Sequence, residues 1–208
     1  MAEVQLSKSS LTREKENLAL YGRYLPALDL KRQQLMAARQ AARREIAALR
    51  ADLDRAVVEA GEAIPMMADR RVALDGLVRL GAVERGARNV AGVRLPVVTR
   101  IEVIRAPYGR LVRPHWVDAV VERLEAALRL RVEIETAEAR LAALERAAAR
   151  VTQRVNLFEK VLIPETRANI RRINVYLGDA ERAAVAGAKI AKKKRAAQMA
   201  GETAEGAP

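Results

Sequence analysis

Thirteen positions (Leu18, Tyr21, Leu25, Leu28, Arg32, Leu35, Arg39, Ala42, Ile46, Leu49, Leu53, Ala56 and Ala60) follow one another at alternating spacings of three and four, and eleven of them are apolar or aromatic. No other feature constrains the fold as much. A stripe kept in phase over that many heptads predicts a long helix whose apolar seam is covered by another helix. Arg32 and Arg39 interrupt it, and arginines in a seam set register or face a partner. A second stripe is uninterrupted: Leu130, Ile134, Ala137, Leu141, Leu144, Ala148, Val151, Val155, Phe158 and Leu162 are all apolar. Two such helices, of ~80 and ~95 Å at 1.5 Å per residue, separated by about fifty residues, pack antiparallel as a hairpin.

The punctuation sets the expected boundaries. Ser10 reads as the N-cap of the first helix, with Glu14 and Glu16 in its early turns, and Gly61 and Pro65 end it. Pro114 suits the first turn of the second helix, with Asp118 favourable to its dipole, and Gly178–Asp179 reads as a stop followed by a new cap. The expectation is mainly α: residues 1–64 and 114–178 as the coiled-coil helices, 65–113 as a middle region, and 179–208 as a basic helix and flexible tail. Within the middle, "LPVVTRIEVI" alternates with period two and predicts a strand, with Pro96 suiting an edge and "APYGR" a turn after it. Residues 69–85 are expected to add a short helix.

Two prolines fall inside the helical pattern. Pro26 removes a backbone donor from the first helix, and Pro164 would press on the carbonyl of Lys160 in the second, at ~3 kcal/mol for an interior site. Beyond Leu162 the stripe continues through Thr166, Ile170, Ile173 and Leu177, so the spacing changes to 4,4,3,4. That stutter lies beside Pro164, and predicts a helix locally kinked or straightened where tight register is not demanded.

Composition removes most chemistry. With no cysteine there is neither a disulfide framework nor a thiolate. The single histidine, His115, lies between Pro114 and Trp116 and reads as a helix-start packing residue, so histidine metal sites and triads lack partners. Glu133 with Glu135, and Asp52 with Asp54, are two apart and point to different sides of a helix. "GARNVAG" has no Gly-Lys-Ser/Thr after it and no dinucleotide fingerprint around it. No catalytic, cofactor or metal residue is expected. The start "MAEVQLSKSS" lacks a signal-peptide core, and charges interrupt every apolar run before it could span a bilayer, so a cytoplasmic address is expected.

The net charge of +12 is regional. Residues 150–195 carry 12 basic and 4 acidic side chains, a surplus of eight, which implies a local partner. Arg154, Lys160, Arg167, Arg171 and Arg172 form one candidate contact set, and Lys189, Lys192, Lys193 and Lys194 another. A basic coiled-coil protein that binds nucleic acid or serves as a scaffold is the alternative reading, but only Tyr176 among aromatics follows Phe158, which argues against base stacking.

Three stretches together resemble a known family. "LSKSSLTREKENLALYGRYLPALDLKRQQL" (6–35), "RVNLFEKVLIPETRANIRRINVYLGD" (154–179) and "KIAKKK" (189–194) are similar to the D subunit of V-type and archaeal-type rotary ATPases in its bacterial form. The second is the most specific, with Val-Asn, Leu-Phe-Glu, Ile-Pro and Ile-Arg-Arg-Ile in the family's order; residues 64–113 carry little motif. The resemblance implies a central rotor shaft without a nucleotide site, peripheral to the membrane as part of a membrane-bound complex. Its implied partners are a hexamer of catalytic and nucleotide-binding subunits, a small F subunit and a socket subunit above the membrane ring. Pro26 and Pro164 then become candidates for the asymmetry of a cam, and the basic residues named above for contacts to the hexamer. Neither the direction of coupling nor the ion, proton or sodium, is written in this chain.

Overall fold

A computed structural model describes residues 5–69, 71–109 and 113–205, with side chains through Arg195. Helix α1 covers Lys8–Ala63, a 3₁₀ turn covers Pro65–Ala68, strands β1 and β2 cover Val78–Val90 and Val93–Arg105, and helix α2 covers Trp116–Leu157. A π-helical turn, Phe158–Leu162, joins α2 to helix α3, Ile163–Glu205. The chain divides into two compact units, 29–153 and the pair of segments 1–28 and 154–208. In both, the long helices lie antiparallel. Every seam position that the spacing picks out, from Leu18 to Ala60 and from Leu130 to Leu162, is buried or half-buried.

Unit 29–153 takes its register from the seam and from ion pairs beside it. Leu35, Ala42 and Ile46 from α1 are buried, as are Ile134, Ala137, Leu144, Ala148 and Val151 from α2. Arg43 reaches Glu145 at 2.6 Å, Glu45 reaches Arg140 at 2.7 Å, Arg50 reaches Glu138 at 2.5 Å and Glu59 reaches Arg123 at 3.6 Å. Ascending numbers on α1 meet descending numbers on α2. These pairs are mostly exposed, each giving about 0–1 kcal/mol, so burial supplies the stability and the charges discriminate against slipped registers.

The middle region differs from the expectation in one element. Where a short helix is expected over 69–85, β1 begins at Val78 and pairs antiparallel with β2, from Val78↔Arg105 to Val90↔Val93. Gly81 and Ala82 stand together opposite Glu102, between the pairs Leu80↔Val103 and Val83↔Ile101. This bulge breaks the alternation that would have marked a strand, and a second irregularity, at Thr99, restores the balance in β2. The strand's partner therefore precedes it; the hairpin turn is Ala91-Gly92, not "APYGR", whose Arg110 lies outside the described residues. Both turn residues have positive φ, 50° and 79°, as a two-residue type I′ loop requires.

The hairpin is anchored at its base and along β2. Leu77, Val117 and Val121 are buried together, with Val72, Leu74, Tyr108 and Trp116 packed on them. Arg113 donates to the Ala73 carbonyl at 2.6 Å and lies over the Tyr108 ring, whose hydroxyl donates to Asp118. Further along, Leu95 is buried and the Arg140 guanidinium donates to the Pro96 carbonyl at 3.4 Å. His115, expected to pack at the helix start, is exposed; Trp116 takes that role. Pro114 lies two residues ahead of α2 rather than in its first turn, and its carbonyl accepts from the Val117 amide at 3.1 Å.

Two helix boundaries also move. The N-cap of α1 is Ser7, not Ser10: Ser7 Oγ accepts from the Ser10 amide at 3.2 Å, while Ser10 itself is buried. The expected stop at Gly178–Asp179 does not occur, for α3 runs through both to Glu205. One glycine costs only about 1 kcal/mol in a helix, and the alanines that follow, with an Asp179–Arg182 pair at 3.5 Å, favour continuation. Gly206, Ala207 and Pro208, part of the expected tail, lie outside the described residues.

Candidate partner-binding surfaces

Unit 1–28 with 154–208 holds both basic contact sets singled out from the sequence, whereas the seam arginines Arg32 and Arg39 lie in unit 29–153. Its core is thin: Val155, Thr166 and Ile173 are buried on the second segment, and Ser10 and Glu14 on the first. Tyr21 meets Phe158 edge to face, ring centroids 5.4 Å apart. Lys8 approaches Glu181 at 3.8 Å, which places the start of α1 level with that part of α3.

The π turn explains how the proline is housed. Ile163 donates its amide to the Phe158 carbonyl, five residues back rather than four. The widened turn releases the Lys160 carbonyl from a donor that Pro164 lacks, and Pro164 becomes the second residue of α3, where its missing N–H costs little. The same turn absorbs the stutter. From Phe158 to Ile170 the stripe takes three steps of four, twelve residues, where three α turns hold about 10.8; the excess is close to the one residue that a π turn inserts. Pro26, by contrast, lies inside an unbroken α1 and is exposed.

Arg154, Lys160, Arg167, Arg171 and Arg172 are all exposed, as are Lys189, Lys192, Lys193 and Lys194. The helix does not bring them to one face. Arg167 and Arg171 are four apart, and spacings of 11, 7 and 4 carry that line on through Arg182, Lys189 and Lys193, whereas Arg154 and Arg172 point elsewhere. Sequence reasoning passed over Arg182. Each described side chain from Ala180 to Arg195 is exposed, so this part of α3 offers its whole circumference.

A second surface went unnoticed. Leu20, Tyr24, Leu157 and Val161 are 45%, 53%, 46% and 47% exposed, beside the Tyr21–Phe158 contact. Their signal was available, since each is apolar at a position flanking the seam, where a solvated residue is the rule.

No chemistry gathers elsewhere. A groove of about 340 Å³ between β2 and the helices is lined by Glu45, Arg129, Glu133 and Arg140 among others, but Arg140 and Glu45 are committed to each other. Among the described residues no three of His, Cys, Asp and Glu converge as a metal site, and no helix is long and apolar enough to cross a membrane. The clearest electrostatic perturbation is structural: a hydrogen bond from Arg105, opposed by burial and aided by its charge, holds the Glu125 carboxyl below its ordinary range.

Residues 10–193 match the family model that describes the D subunit of ATP synthase. The V-type ATP synthase D subunit from Borreliella burgdorferi is 33% identical over 192 residues, covering 92% of this chain and 95% of that protein. Those from Chlamydia muridarum, at 35% over 199 residues with 93% and 96% covered, and Chlamydia pneumoniae, at 33% over 201 residues with 92% and 93% covered, carry the same name.

Proposed function

We propose, from the premise that this chain belongs to the family of ATP synthase D subunits, how a stalk component of a rotary ATPase meets its neighbours. The chain serves as the central rotor subunit that couples ion translocation to ATP synthesis or hydrolysis. It is non-catalytic, and holds no nucleotide. Its terminal segments enter the hexamer of catalytic and nucleotide-binding subunits, while the F subunit and the socket subunit take other parts of the rotor, which stays peripheral to the membrane.

The observation that carries the hexamer contact is the distribution of free charge. The basic run of residues 150–195 falls, from Arg154 on, in the unit that holds the terminal segments, and Arg154, Lys160, Arg167, Arg171, Arg172 and the lysines 189 and 192–194 are exposed there. Exposed pairs of about 0–1 kcal/mol each, screened within ~10 Å at ordinary salt, hold a rotor without fixing it in one of several equivalent positions. The π turn at Pro164 gives one helix of the terminal pair a profile that α1, unbroken at Pro26, does not have. That difference supplies the asymmetry of a cam.

Mixing the chain with its cognate hexamer and F subunit tests the reading by size exclusion and ATPase rate. One copy per hexamer with altered turnover is expected; a folded, nucleotide-competent hexamer that excludes the chain refutes it. Reversing the charge of Arg171 and Arg172 is expected to weaken binding or coupling, and deleting Glu159 together with Pro164→Ala, which takes out the π turn, is expected to lower torque. Unchanged behaviour in either case removes that residue assignment.

A further inference from the structure

Leu20 and Tyr24 lie one residue before and three after Tyr21; at about 100° per residue both project roughly 60–100° to the same side of the Tyr21–Phe158 contact. Leu157 and Val161 stand in the same relation to Phe158. In an antiparallel pair equal offsets in the same sense fall on one face, so the four half-exposed side chains, interleaved over about two turns, form a single apolar face. Arg13, eight residues before Tyr21, and Arg154, four before Phe158, fall at its two ends and are exposed.

We infer that this face is a docking surface for an apolar segment flanked by carboxylates, presented by the hexamer around the rotor. The inference rests on the reading above and adds to it: the basic residues align the partner, and the apolar face grips it. Isolated exposed apolar residues need no explanation, but a contiguous face with a charged rim has the anatomy of an interface. The arginine rim selects the occupant. A second copy seated on the same face would bring Arg13 and Arg154 against their own counterparts, whereas a carboxylate-flanked segment pairs with both.

The test uses the full chain and its cognate catalytic hexamer, with affinity measured for the unmodified chain and for Leu20→Ser/Leu157→Ser. Binding about tenfold weaker or worse is expected, with the melting temperature unchanged because both side chains are already half in water. If the unmodified chain enters the hexamer and the variant binds equally well, the inference fails while the rotor reading stands. An unmodified chain that never enters takes both down. Should the double variant melt lower, Arg13→Glu, outside the basic residues already assigned to the hexamer, decides on a rim where no packing is at stake: a comparable loss of affinity supports the inference, and none overturns it. Self-association in sedimentation, or flotation with anionic vesicles, abolished by the same Leu20→Ser/Leu157→Ser change would reassign the face and overturn it as well.

Discussion

Deleting Glu159 from the π turn tests whether that turn exists to reconcile the seam with Pro164. The deletion leaves eleven residue steps from Phe158 to Ile170 instead of twelve, or about 3.67 per turn, which a nearly straight α-helix holds in phase. Thr166 and Ile173, both buried, would keep their places. Pro164, however, would now sit in the interior of a regular α-helix, four residues after Lys160, at a cost of about 3 kcal/mol. The deletion alone should destabilise the chain by about that much, and Pro164→Ala alone should be nearly neutral, because the phase of the seam still requires the extra residue. Combined, they should recover most of the loss, a coupling of about 3 kcal/mol in a double-mutant cycle measured by urea unfolding. Deleting Arg167 serves as the control: with the π turn kept, Ile173 turns about 100° out of the seam, with the π turn closed Thr166 does, and no change at Pro164 restores both buried residues. If Pro164→Ala fails to rescue the Glu159 deletion, the link between proline and π turn is wrong. If the double variant is as unstable as the Arg167 deletion, the phase argument is wrong.

Three other outcomes follow from particular contacts. Ala91 sits at φ 50° in the hairpin turn, where an L-residue with a Cβ is strained by about 1–2 kcal/mol; Ala91→Asn, which tolerates that region, should raise stability by about 0.5–1 kcal/mol, read as a higher melting temperature. Leu144 is 1% exposed in the seam, so Leu144→Ala should cost about 2–5 kcal/mol in chemical unfolding. For Glu125, held below its usual range chiefly by the Arg105 hydrogen bond, the unfolded chain takes up the proton first as pH falls. Its contribution is therefore complete above the ordinary glutamate value of about 4.3 and disappears as pH drops through the lowered folded value. Glu125→Gln should flatten the acid limb of the stability curve below about pH 4; an unchanged limb would show that the pair contributes nothing.

The local pattern of residues by itself determined the two long helices, their antiparallel pairing and strand β2, because each is announced by a period that its own side chains keep. Leu18 to Ala60 and Leu130 to Leu162 hold a seam that only another helix can cover, and Val97 to Ile104 alternate as a strand must. The stretch 154–179 also carried the family resemblance. What the tertiary structure alone decided are the places where a distant partner outweighs the local signal. β1 is a strand because β2 lies beside it, and the Gly81–Ala82 bulge that fits it to that partner erases its alternation. The stutter after Leu162 was visible, but whether the helix would kink, straighten or insert a π turn depended on keeping Ile173 and Tyr21–Phe158 in contact with the opposite segment. Gly178 looked like a stop because a glycine ends a helix only when nothing beyond it favours continuation, and here the alanine-rich run does. The apolar face of Leu20, Tyr24, Leu157 and Val161 exists in no single segment; two helices crossing at one contact assemble it, and a one-dimensional pattern has no means of adding residues that far apart.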